Sequence, residues 1–431
     1  MSHLSSSSSP ITAIPSYKSK GPGPKNYLSP EALRYIDQAF SNKPRKYKFP
    51  AIKHVCDRIA WPEKEEDSVY IKCVGMSAGL TSIVSEVKVC LKMALDSGSN
   101  LVLPSMPLRD PIDMQNFNIH NEDAYLDYGE WFDVEHIIDG LARACPKMKV
   151  VRPRQLNDDV QVKYDWSADL GKAPGYQAFV SHFWPGRPFK PFWDNEVARL
   201  RAIAAGEPEE TKEGITVIAI HCMFLVYRIT DDPTGNDLRL WNDLGALVRF
   251  KQDSRSIVHE LIGLIERPYY GVHFRVENDT IWSSIENQLA LDLDGLDQAW
   301  SKFGSPSKPK PLVYLACGDK ELVEKFVEAG SERGWEVTHK WAVASKSPNK
   351  DELLQRIAGL AFDFQGAIDM GIVIQAGFFF GITGSAFSST VGNARDGTGR
   401  YRGSSLLVEE DGGARSHLYN DGEASNYPCC L

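Results

Sequence analysis

The sequence predicts an α/β protein built from two Rossmann-like domains. A chain of 431 residues accommodates two domains at about 150 residues each. Short apolar segments of strand length alternate with longer segments of helical period, which is typical of parallel sheets. This alternation runs through the chain twice without an internal repeat. Contents of 42% hydrophobic and 24% charged residues are those of an ordinary globular protein and exclude collagen-like or coiled-coil classes.

The domain boundaries follow from changes in composition along the chain. An N-terminal tract rich in Ser, Pro, Gly and Lys lacks the apolar core of a secretory signal, and it predicts a disordered leader. Two short helices then predict an annex ahead of the first domain. The predicted segments are a leader at 1–28, a helical annex at 29–66, a first domain at 67–253 and a second domain with an irregular tail at 254–431.

The annex helices are expected at 29–40, opened by a Ser-Pro pair, and at 51–61. The first domain then begins with an apolar strand at 69–74, a glycine turn, a helix at 82–95 and a strand at 101–103. This order makes a βαβ unit, so the sheet is expected to be parallel.

The turn after the first strand contains Gly75, Ala78 and Gly79. Its spacing matches neither the dinucleotide fingerprint nor a P-loop. A helix N-terminus behind glycines can bind an anion, whereas most such turns only join a strand to a helix. Both interpretations stay open, and the three residues are candidates for substrate binding.

The rest of the first domain contains an aromatic segment at 155–196, rich in Pro and Gly, and a core strand at 215–220. The aromatic segment is interpreted either as an acceptor cleft or as a loop folded on its own rings.

A second α/β set fills the second domain. Asp319 follows one of its strands and is the expected N-cap of the next helix. Ligands of such sheets bind at the carboxyl ends of the strands. Helices are expected at 257–266 and 351–361, and strands at 270–276, 312–316, 336–339 and 378–382.

The strand at 270–276 carries His273 and Arg275 two residues apart, so both side chains are expected on one face. Arg presents a rigid fork of donors to phosphoryl oxygens, and His donates a hydrogen bond or carries charge near neutral pH. The pair therefore predicts a phosphate site. The alternative is a buried His beside an Arg paired with a carboxylate. Glu277 projects to the same face if the strand continues, as a base or as a partner that orients Arg275.

The turn at 383–389 is small and rich in hydroxyl groups, and it follows an apolar strand. Its backbone amides and the Ser385 hydroxyl are candidates for a phosphate cradle, together with Gly384 and Ser388. Simple helix capping is the alternative. Asp369, in an apolar segment, predicts a carboxylate that pairs with the N–H groups of guanine, with a surface residue or an internal ion pair as alternatives.

Several classes are excluded by charge and spacing. A net charge of -9 argues against binding the nucleic-acid backbone. Eight scattered cysteines fit neither a zinc site nor a disulfide framework. Asp292 and Asp294 resemble a metal-binding pair but are expected to end a helix, so no metal is predicted. No segment is apolar enough to span a membrane, and the absence of a signal predicts a cytoplasmic protein.

These residues together resemble the GDP-fucose protein O-fucosyltransferase family, in a fungal-type variant. The likeness covers 69–395 and has three parts: the turn at 75–79, the His-x-Arg element at 273–275, and a third part with Asp369, Ser385, Phe387 and Arg395. It implies a GT-B glycosyltransferase fold, with two facing Rossmann-like domains, the first on the acceptor side and the second binding the nucleotide sugar.

The resemblance implies an inverting, metal-independent transfer of fucose or a related deoxyhexose from a GDP-sugar to a hydroxyl group. GDP-fucose is the implied donor substrate, no cofactor is expected, and the acceptor is a protein, a glycan or a small molecule. Arg275, His273 and Glu277 are the expected catalytic residues, with Phe387 among the donor contacts. The alternative is a non-catalytic protein that binds nucleotide sugars or a partner. Most members of the family enter the secretory pathway, so the cytoplasmic expectation holds only if the sequence contains the true start.

Overall fold

The fold is taken from a computed structural model. It describes residues 28, 30–64, 67–110, 112–114, 116–118, 120–158, 160–168, 182–183, 189–206, 214–223, 226–227, 235–277, 283–305, 307–382, 385–395 and 415–419. The predicted leader at 1–28 falls outside these residues except for Leu28, and so do Gly384, Cys429 and Cys430.

The first half of the chain alternates strands and helices after two N-terminal helices. Its helices are α1 (Pro30–Phe40), α2 (Pro50–Arg58), α3 (Leu80–Ser97), α4 (Tyr128–Trp131), α5 (Val134–Ala144), α6 (Pro153–Asp158), α7 (Phe189–Ala204) and α8 (Asn236–Leu247). Its strands are β1 (Val69–Val74), β2 (Asn100–Val102), β3 (Met106–Pro107), β4 (Tyr125–Leu126), β5 (Val150–Val151), β6 (Val162–Ala168), β7 (His182–Phe183), β8 (Ile215–His221) and β9 (Val226–Tyr227).

The second half repeats this alternation of strands and helices. Its helices are α9 (Gln252–Leu264), α10 (Ile285–Phe303), α11 (Lys320–Glu332), α12 (Lys340–Ala344), α13 (Lys350–Ala358), α14 (Phe362–Val373) and α15 (Ala386–Arg395). Its strands are β10 (Tyr269–His273), β11 (Leu312–Ala316), β12 (Val337–Thr338), β13 (Phe378–Ile382) and β14 (Arg415–Tyr419).

Each half contains one five-stranded parallel sheet among the described residues. The strand order is β5-β2-β1-β8-β6 in the first sheet and β12-β11-β10-β13-β14 in the second. All ladders within these two sheets are parallel. The expected α/β fold with two Rossmann-like sheets is therefore confirmed. One sheet lies on each side of residue 254, while the exact domain boundaries stay predictions.

The apolar segments form strands because the strands of a parallel sheet are buried on both faces and therefore need a continuous apolar sequence. Every residue of β11 and of β13 is buried. Asp319 caps α11 as expected, since its side chain accepts a hydrogen bond of 3.0 Å from the Leu322 N–H. Strands β1, β11 and β13 have the predicted bounds, because continuous apolar runs with turn residues at both ends leave little choice.

The aromatic segment at 155–196 contains more regular secondary structure than the sequence interpretations, an acceptor cleft or a loop folded on its own rings, had suggested. Strand β6 pairs with β8, and helix α7 begins at Phe189. Tyr164 and Trp166 stack on each other, whereas Phe189 and Trp193 are buried in the core. Strand β6 and helix α7 thus belong to the first sheet and its cover, while β7 pairs with β9 in a separate two-stranded sheet.

The two halves share one apolar core. A single cluster of buried side chains extends from the first sheet through α3, α9 and α14 to one face of the second sheet. A separate cluster, which includes Val272, Phe274 and Phe380, covers the opposite face of the second sheet. This continuity packs the two halves of the chain against each other.

Two disulfides correct the prediction that the cysteines form no framework. Cys56 in α2 is bonded to Cys145 after α5, and Cys73 in β1 is bonded to Cys90 in α3. Scattered spacing gave no sign of these pairs because each joins residues that only the fold brings together. Disulfides persist in oxidising compartments, so the two bonds weigh against the predicted cytoplasmic location.

No helix in the described part of the chain is both long and apolar enough to cross a membrane.

Candidate functional site

The second sheet reverses its strand order between β10 and β13. β11 and β12 lie on one side of β10, whereas β13 and β14 lie on the other. Ligands of open parallel sheets bind at the carboxyl ends of the strands, in the crevice at such a reversal. The predicted residues His273, at the end of β10, and Ser385, just after β13, both lie at this crevice.

His273 is buried and neutral. Its Nδ1 shares a hydrogen bond of 2.8 Å with Ser388 Oγ, and its ring lies 4.4 Å from the ring of Phe387. Burial lowers the pKa of His273 to about 3, and the nearby Arg275 charge also lowers it, against the opposing effect of Glu277. Of the two roles that the sequence left open for His273, a hydrogen bond or a positive charge near neutral pH, the lowered pKa favours the hydrogen bond.

Arg275 lies just beyond the strand. β10 ends at His273, three residues earlier than predicted, because the backbone of Arg275 bonds to a side chain instead of to the next strand. The Arg275 N–H donates to Gln288 Oε1 (3.2 Å), and Gln288 Nε2 donates to the Arg275 carbonyl (2.7 Å). Gln288 is fully buried in α10 and fixes this backbone. Nothing near Gln288 in the sequence marks this role.

Glu277 orients the Arg275 guanidinium. Arg275 Nη1 donates to Glu277 Oε2 at 2.8 Å, and the Val276 N–H donates to the same oxygen at 3.1 Å. Burial alone would raise the pKa of Glu277, but the charge of Arg275, a hydrogen bond from its own backbone and the charge of Arg109 hold it below its ordinary value. A carboxylate with a lowered pKa is a weak base, so this geometry favours the orienting role.

The predicted hydroxyl-rich turn is a helix start. Ser385 Oγ accepts a hydrogen bond of 3.4 Å from the Ser388 N–H. This is the contact expected if the turn simply caps a helix. Ser388 is fully buried, and its Oγ accepts from the Ile382 N–H at 3.2 Å while it contacts His273. The two serines thereby join β10, β13 and α15 at the crevice. Their polar groups fix the protein around any ligand that binds there.

Asp369 forms an internal ion pair, which was one of the alternatives that the sequence left open. Lys340 Nζ lies 2.6 Å from Asp369 Oδ2, and the Tyr314 hydroxyl donates to Oδ1 at 2.8 Å. Lys340 also donates to the carbonyl of Cys317, at the carboxyl end of β11, at 2.9 Å. All three side chains are buried. The guanine contact of Asp369 stays a prediction, but both of its oxygens are already bonded within the protein.

The Asp292 and Asp294 pair does not end a helix as expected but lies in the middle of α10. Asp292 is fully buried, and burial raises its pKa well above the ordinary value. Asp294 instead pairs with Arg333 on the surface. The two carboxylates thus point to different environments. Within the described ranges, no three His, Cys, Asp or Glu side chains are arranged to hold a metal ion.

Arg395, assigned to the third part of the resemblance, is a structural residue. It is 1% exposed, and Nη1 donates to the carbonyls of Ile374 (2.7 Å) and Ala376 (2.6 Å), just past the end of α14. Its Nε donates to Ser416 Oγ in β14 at 2.9 Å. A cation at a helix C-terminus interacts favourably with the helix dipole. Burial lowers the pKa of Arg395 to about 9.

A buried ion pair between Arg109 and Asp363 connects the turn at 75–79 to the second domain. Asp363, in the first turn of α14, accepts from the Leu80 N–H (3.1 Å) and from Arg109 Nε (3.1 Å). The guanidinium of Arg109 would lie 2.9 Å from a Cβ atom at Gly79, so glycine leaves room for it. The amide at the start of α3 is thus bonded to a protein carboxylate. Sequence patterns missed this pair because its members lie 254 positions apart.

No protein-family model matches the sequence, and no curated protein is significantly similar to it. Solved structures that are similar include POFUT1 in complex with GDP-fucose, at 15% identity, with coverage of 83% of this chain and 99% of that chain and a TM-score of 0.43. The apo form of POFUT1 matches at 14% identity, with coverage of 78% and 97% and a TM-score of 0.42. The fucosyltransferase NodZ from Bradyrhizobium matches at 15% identity, with coverage of 76% and 92% and a TM-score of 0.38. At these scores no residue role is taken from them.

Proposed function

We propose that the protein is an inverting, metal-independent glycosyltransferase that transfers fucose, or a related deoxyhexose, from a GDP-sugar to a hydroxyl acceptor. The observation that carries this proposal is the Arg275 guanidinium, held by Glu277 at the strand reversal of the second sheet. The GDP-sugar class itself comes from the resemblance of the sequence parts around Gly75, His273 and Ser385.

The proposed chemistry needs a fixed positive charge at the leaving group. As the glycosidic bond to the diphosphate breaks, negative charge grows on the β-phosphate. A guanidinium that is already oriented stabilises this charge without reorganising during the reaction. The Arg275 side chain is 14% exposed, so it reaches the crevice while the backbone clamp of Gln288 holds its position.

The diphosphate lies, in this proposal, between Arg275 and the start of α15. The N-terminus of a helix favours an anion through its dipole and its first backbone N–H groups. Ser385 and Ser388 hold this helix start in place, and neutral His273 supports it from β10. Glu277 acts as a positioning residue for Arg275 and not as the base that takes the acceptor proton.

The test measures release of GDP from GDP-fucose by Arg275→Ala and Glu277→Gln. Arg275→Ala is expected to lower kcat by about 100- to 1,000-fold, because one preorganised charge-stabilising group is lost. Glu277→Gln is expected to lower kcat less, with GDP-fucose binding retained. The matched control is Arg333→Ala, which removes a surface guanidinium just after the end of α11. Normal turnover by a folded Arg275→Ala protein would disprove the proposed site.

GDP release also tests whether the reaction needs a metal ion and, together with a binding measurement, whether the protein is catalytic at all. Turnover in EDTA is expected to equal turnover without it, and a strict requirement for manganese would contradict the metal-independent mechanism. The alternative, a non-catalytic protein that binds nucleotide sugars, predicts GDP-fucose binding by calorimetry without GDP release for any acceptor.

A further inference from the structure

The connection between α1 and α2, here named the basic loop, spans 41–49 and is strongly basic. It contains no Asp or Glu, and four of its residues are cations: Lys43, Arg45, Lys46 and Lys48. Charge is also uneven along the sequence, since the first 48 residues contain eight Lys or Arg and two Asp or Glu, whereas the whole chain has a net charge of -9. A basic segment on an acidic chain indicates an anionic partner.

All four cations of the basic loop are exposed. No carboxylate in the described part of the chain pairs with Lys43, Lys46 or Lys48. By contrast, Lys53 in the neighbouring helix α2 pairs with Asp57 at 3.0 Å. The positive charge of the loop is therefore not neutralised within the described residues and is available to a ligand.

The basic loop has a fixed backbone, although it forms neither helix nor strand. The Arg45 N–H donates to Asp37 Oδ2 at 2.9 Å, and Gln38 Nε2 donates to the Arg45 carbonyl at 2.8 Å, so α1 holds the middle of the loop. The Tyr47 hydroxyl donates to Asp243 of α8 at 2.7 Å. A ligand that binds here does not have to order the backbone first, which lowers the free-energy cost of binding.

The basic loop presents charge without an apolar surface. Phe49 is fully buried, and Tyr47 is half-buried with the Arg34 guanidinium 4.9 Å from its ring. None of the large apolar side chains that are exposed in the described residues belongs to the loop. Protein interfaces have an apolar and aromatic core, and segments that insert into lipid need apolar side chains. The surface thus fits a hydrophilic anion better than a protein or a lipid.

The length of the charged row points to a polymer. Six positions, from 43 to 48, extend over at most about 20 Å, which is longer than a single phosphate or sulfate ion can span. Short Lys- and Arg-rich segments bind nucleic acids or sulfated polysaccharides such as heparin. The four cations therefore match a row of anionic groups along one chain.

The disulfides select among the polymers. The bond between Cys56 and Cys145 fastens α2, which directly follows the basic loop. Disulfides persist in oxidising compartments, whereas nucleic acids and the anionic leaflet of the membrane are found on the cytoplasmic side. Polysaccharides with sulfate or carboxylate groups are the polyanions that share an oxidising environment with such a protein.

We propose that the basic loop binds a polyanionic polysaccharide, with its lysine and arginine side chains paired to sulfate or carboxylate groups of the polymer. None of the residues of the loop belongs to the crevice of the second sheet. The inference goes beyond the proposed transferase function and does not depend on it.

The experiment titrates the full chain with heparin, polygalacturonate and dextran in a calorimeter. Heparin supplies sulfate groups, polygalacturonate supplies carboxylates, and dextran is the neutral control. At least one of the two charged polymers is expected to bind, while dextran does not. Release of counterions by three or four cations is expected to make that affinity fall about 10- to 100-fold between 50 and 200 mM salt.

The test variant removes three charges from the basic loop by the changes Lys43→Gln, Lys46→Gln and Lys48→Gln. It is expected to bind the charged polymer about 10- to 100-fold more weakly at 50 mM salt, because most of the electrostatic attraction is lost. Replacement of the same three lysines by arginine is expected to preserve the affinity. The matched control removes three charges from exposed lysines of the second half: Lys308→Gln, Lys346→Gln and Lys350→Gln. This control is expected to bind like the parent chain.

Several results would overturn the inference. They are the absence of binding by both charged polymers, equal affinity in the parent chain and the test variant, and an equal loss in the matched control. Tighter binding of poly-glutamate, of phosphatidylserine–phosphatidylcholine vesicles or of single-stranded RNA than of either polymer would also overturn it. GDP release from GDP-fucose is measured in parallel, and its absence counts against the transferase function alone.

Discussion

Burial of His273 fixes the imidazole in its neutral form, which changes what the residue can do. A neutral imidazole bonds to Ser388 and packs against the tilted ring of Phe387, but it adds no positive charge to the crevice. The charge there comes from Arg275 instead. The environment matters for Asp369 as well. Lys340 and Tyr314 already bond to the carboxylate for which the sequence predicted a contact with guanine.

The lowered pKa of His273 predicts a specific dependence of stability on pH. Between its folded pKa of about 3 and the ordinary value of 6.5, the unfolded chain binds a proton at this position that the native protein does not. The free energy of unfolding therefore rises with pH across this window and falls as the solution is acidified.

His273→Gln is expected to make that rise shallower, because glutamine keeps a polar partner for Ser388 and does not titrate. Urea unfolding at several pH values between about 4 and 6.5 measures the slope. His54→Gln, at an exposed position of α2, is the control and is expected to keep the slope of the parent chain. Equal slopes for all three proteins would show that His273 does not contribute.

Helix starts are the elements that organise both halves of the site. α15 begins at the crevice of the second sheet, where Ser385 and Ser388 hold it, and α3 begins after the Gly75 turn, where the Leu80 N–H donates to Asp363. α14 contributes at both of its ends: Asp363 at its start bonds α3, and Arg395 binds the carbonyls just past its end. One helix thus connects the two sheets.

The contact between α3 and α14 predicts a characteristic mutational pattern. The Arg109 and Asp363 side chains are 9% and 1% exposed, so removing one of them breaks a buried ion pair and leaves the other charge buried. Asp363→Ala or Arg109→Ala is expected to lower the free energy of unfolding by about 3–5 kcal/mol. The double replacement Arg109→Met with Asp363→Leu is expected to cost less than either single change. Denaturant unfolding provides the values, and a loss below about 1 kcal/mol for Asp363→Ala would contradict a buried pair.

At the scale of the whole molecule, two disulfides and one shared core bind the first half together. Cys56–Cys145 joins the annex helix α2 to α5 across 89 positions, and Cys73–Cys90 joins β1 to α3 across 17. The second disulfide connects the elements on either side of the Gly75 turn. All four cysteines are buried in the apolar core.

Removal of either disulfide is expected to destabilise the protein, and the disulfide that closes the longer segment of chain is expected to matter more. Loop-closure entropy gives about 3 kcal/mol for the bond at 73 and 90 and about 4.5 kcal/mol for the bond at 56 and 145. The urea midpoint is therefore expected to fall in both double variants, and to fall further in Cys56→Ala/Cys145→Ala than in Cys73→Ala/Cys90→Ala. Dithiothreitol is expected to lower the midpoint of the parent chain but not that of a variant lacking all four cysteines. An unchanged midpoint in the parent would show that the bonds do not form.

The sequence alone determined the α/β class, most of the core strands and the positions of the candidate residues at strand ends. Apolar period, glycine turns and caps such as Asp319 act within a few residues, so they can be recognised locally. His273, Arg275 and Ser385 were placed at carboxyl ends of strands for the same reason, and the structure brings these three to one crevice.

Only the tertiary structure decided which partners those residues have. The pairs Lys340 with Asp369, Arg109 with Asp363 and Gly75 with His221 join distant segments. So do the two disulfides. Charge state follows from the same contacts, as with His273, because desolvation depends on everything packed around a group. Local sequence specifies an element, but the neighbours of a side chain and the dielectric around it exist only once the elements have packed.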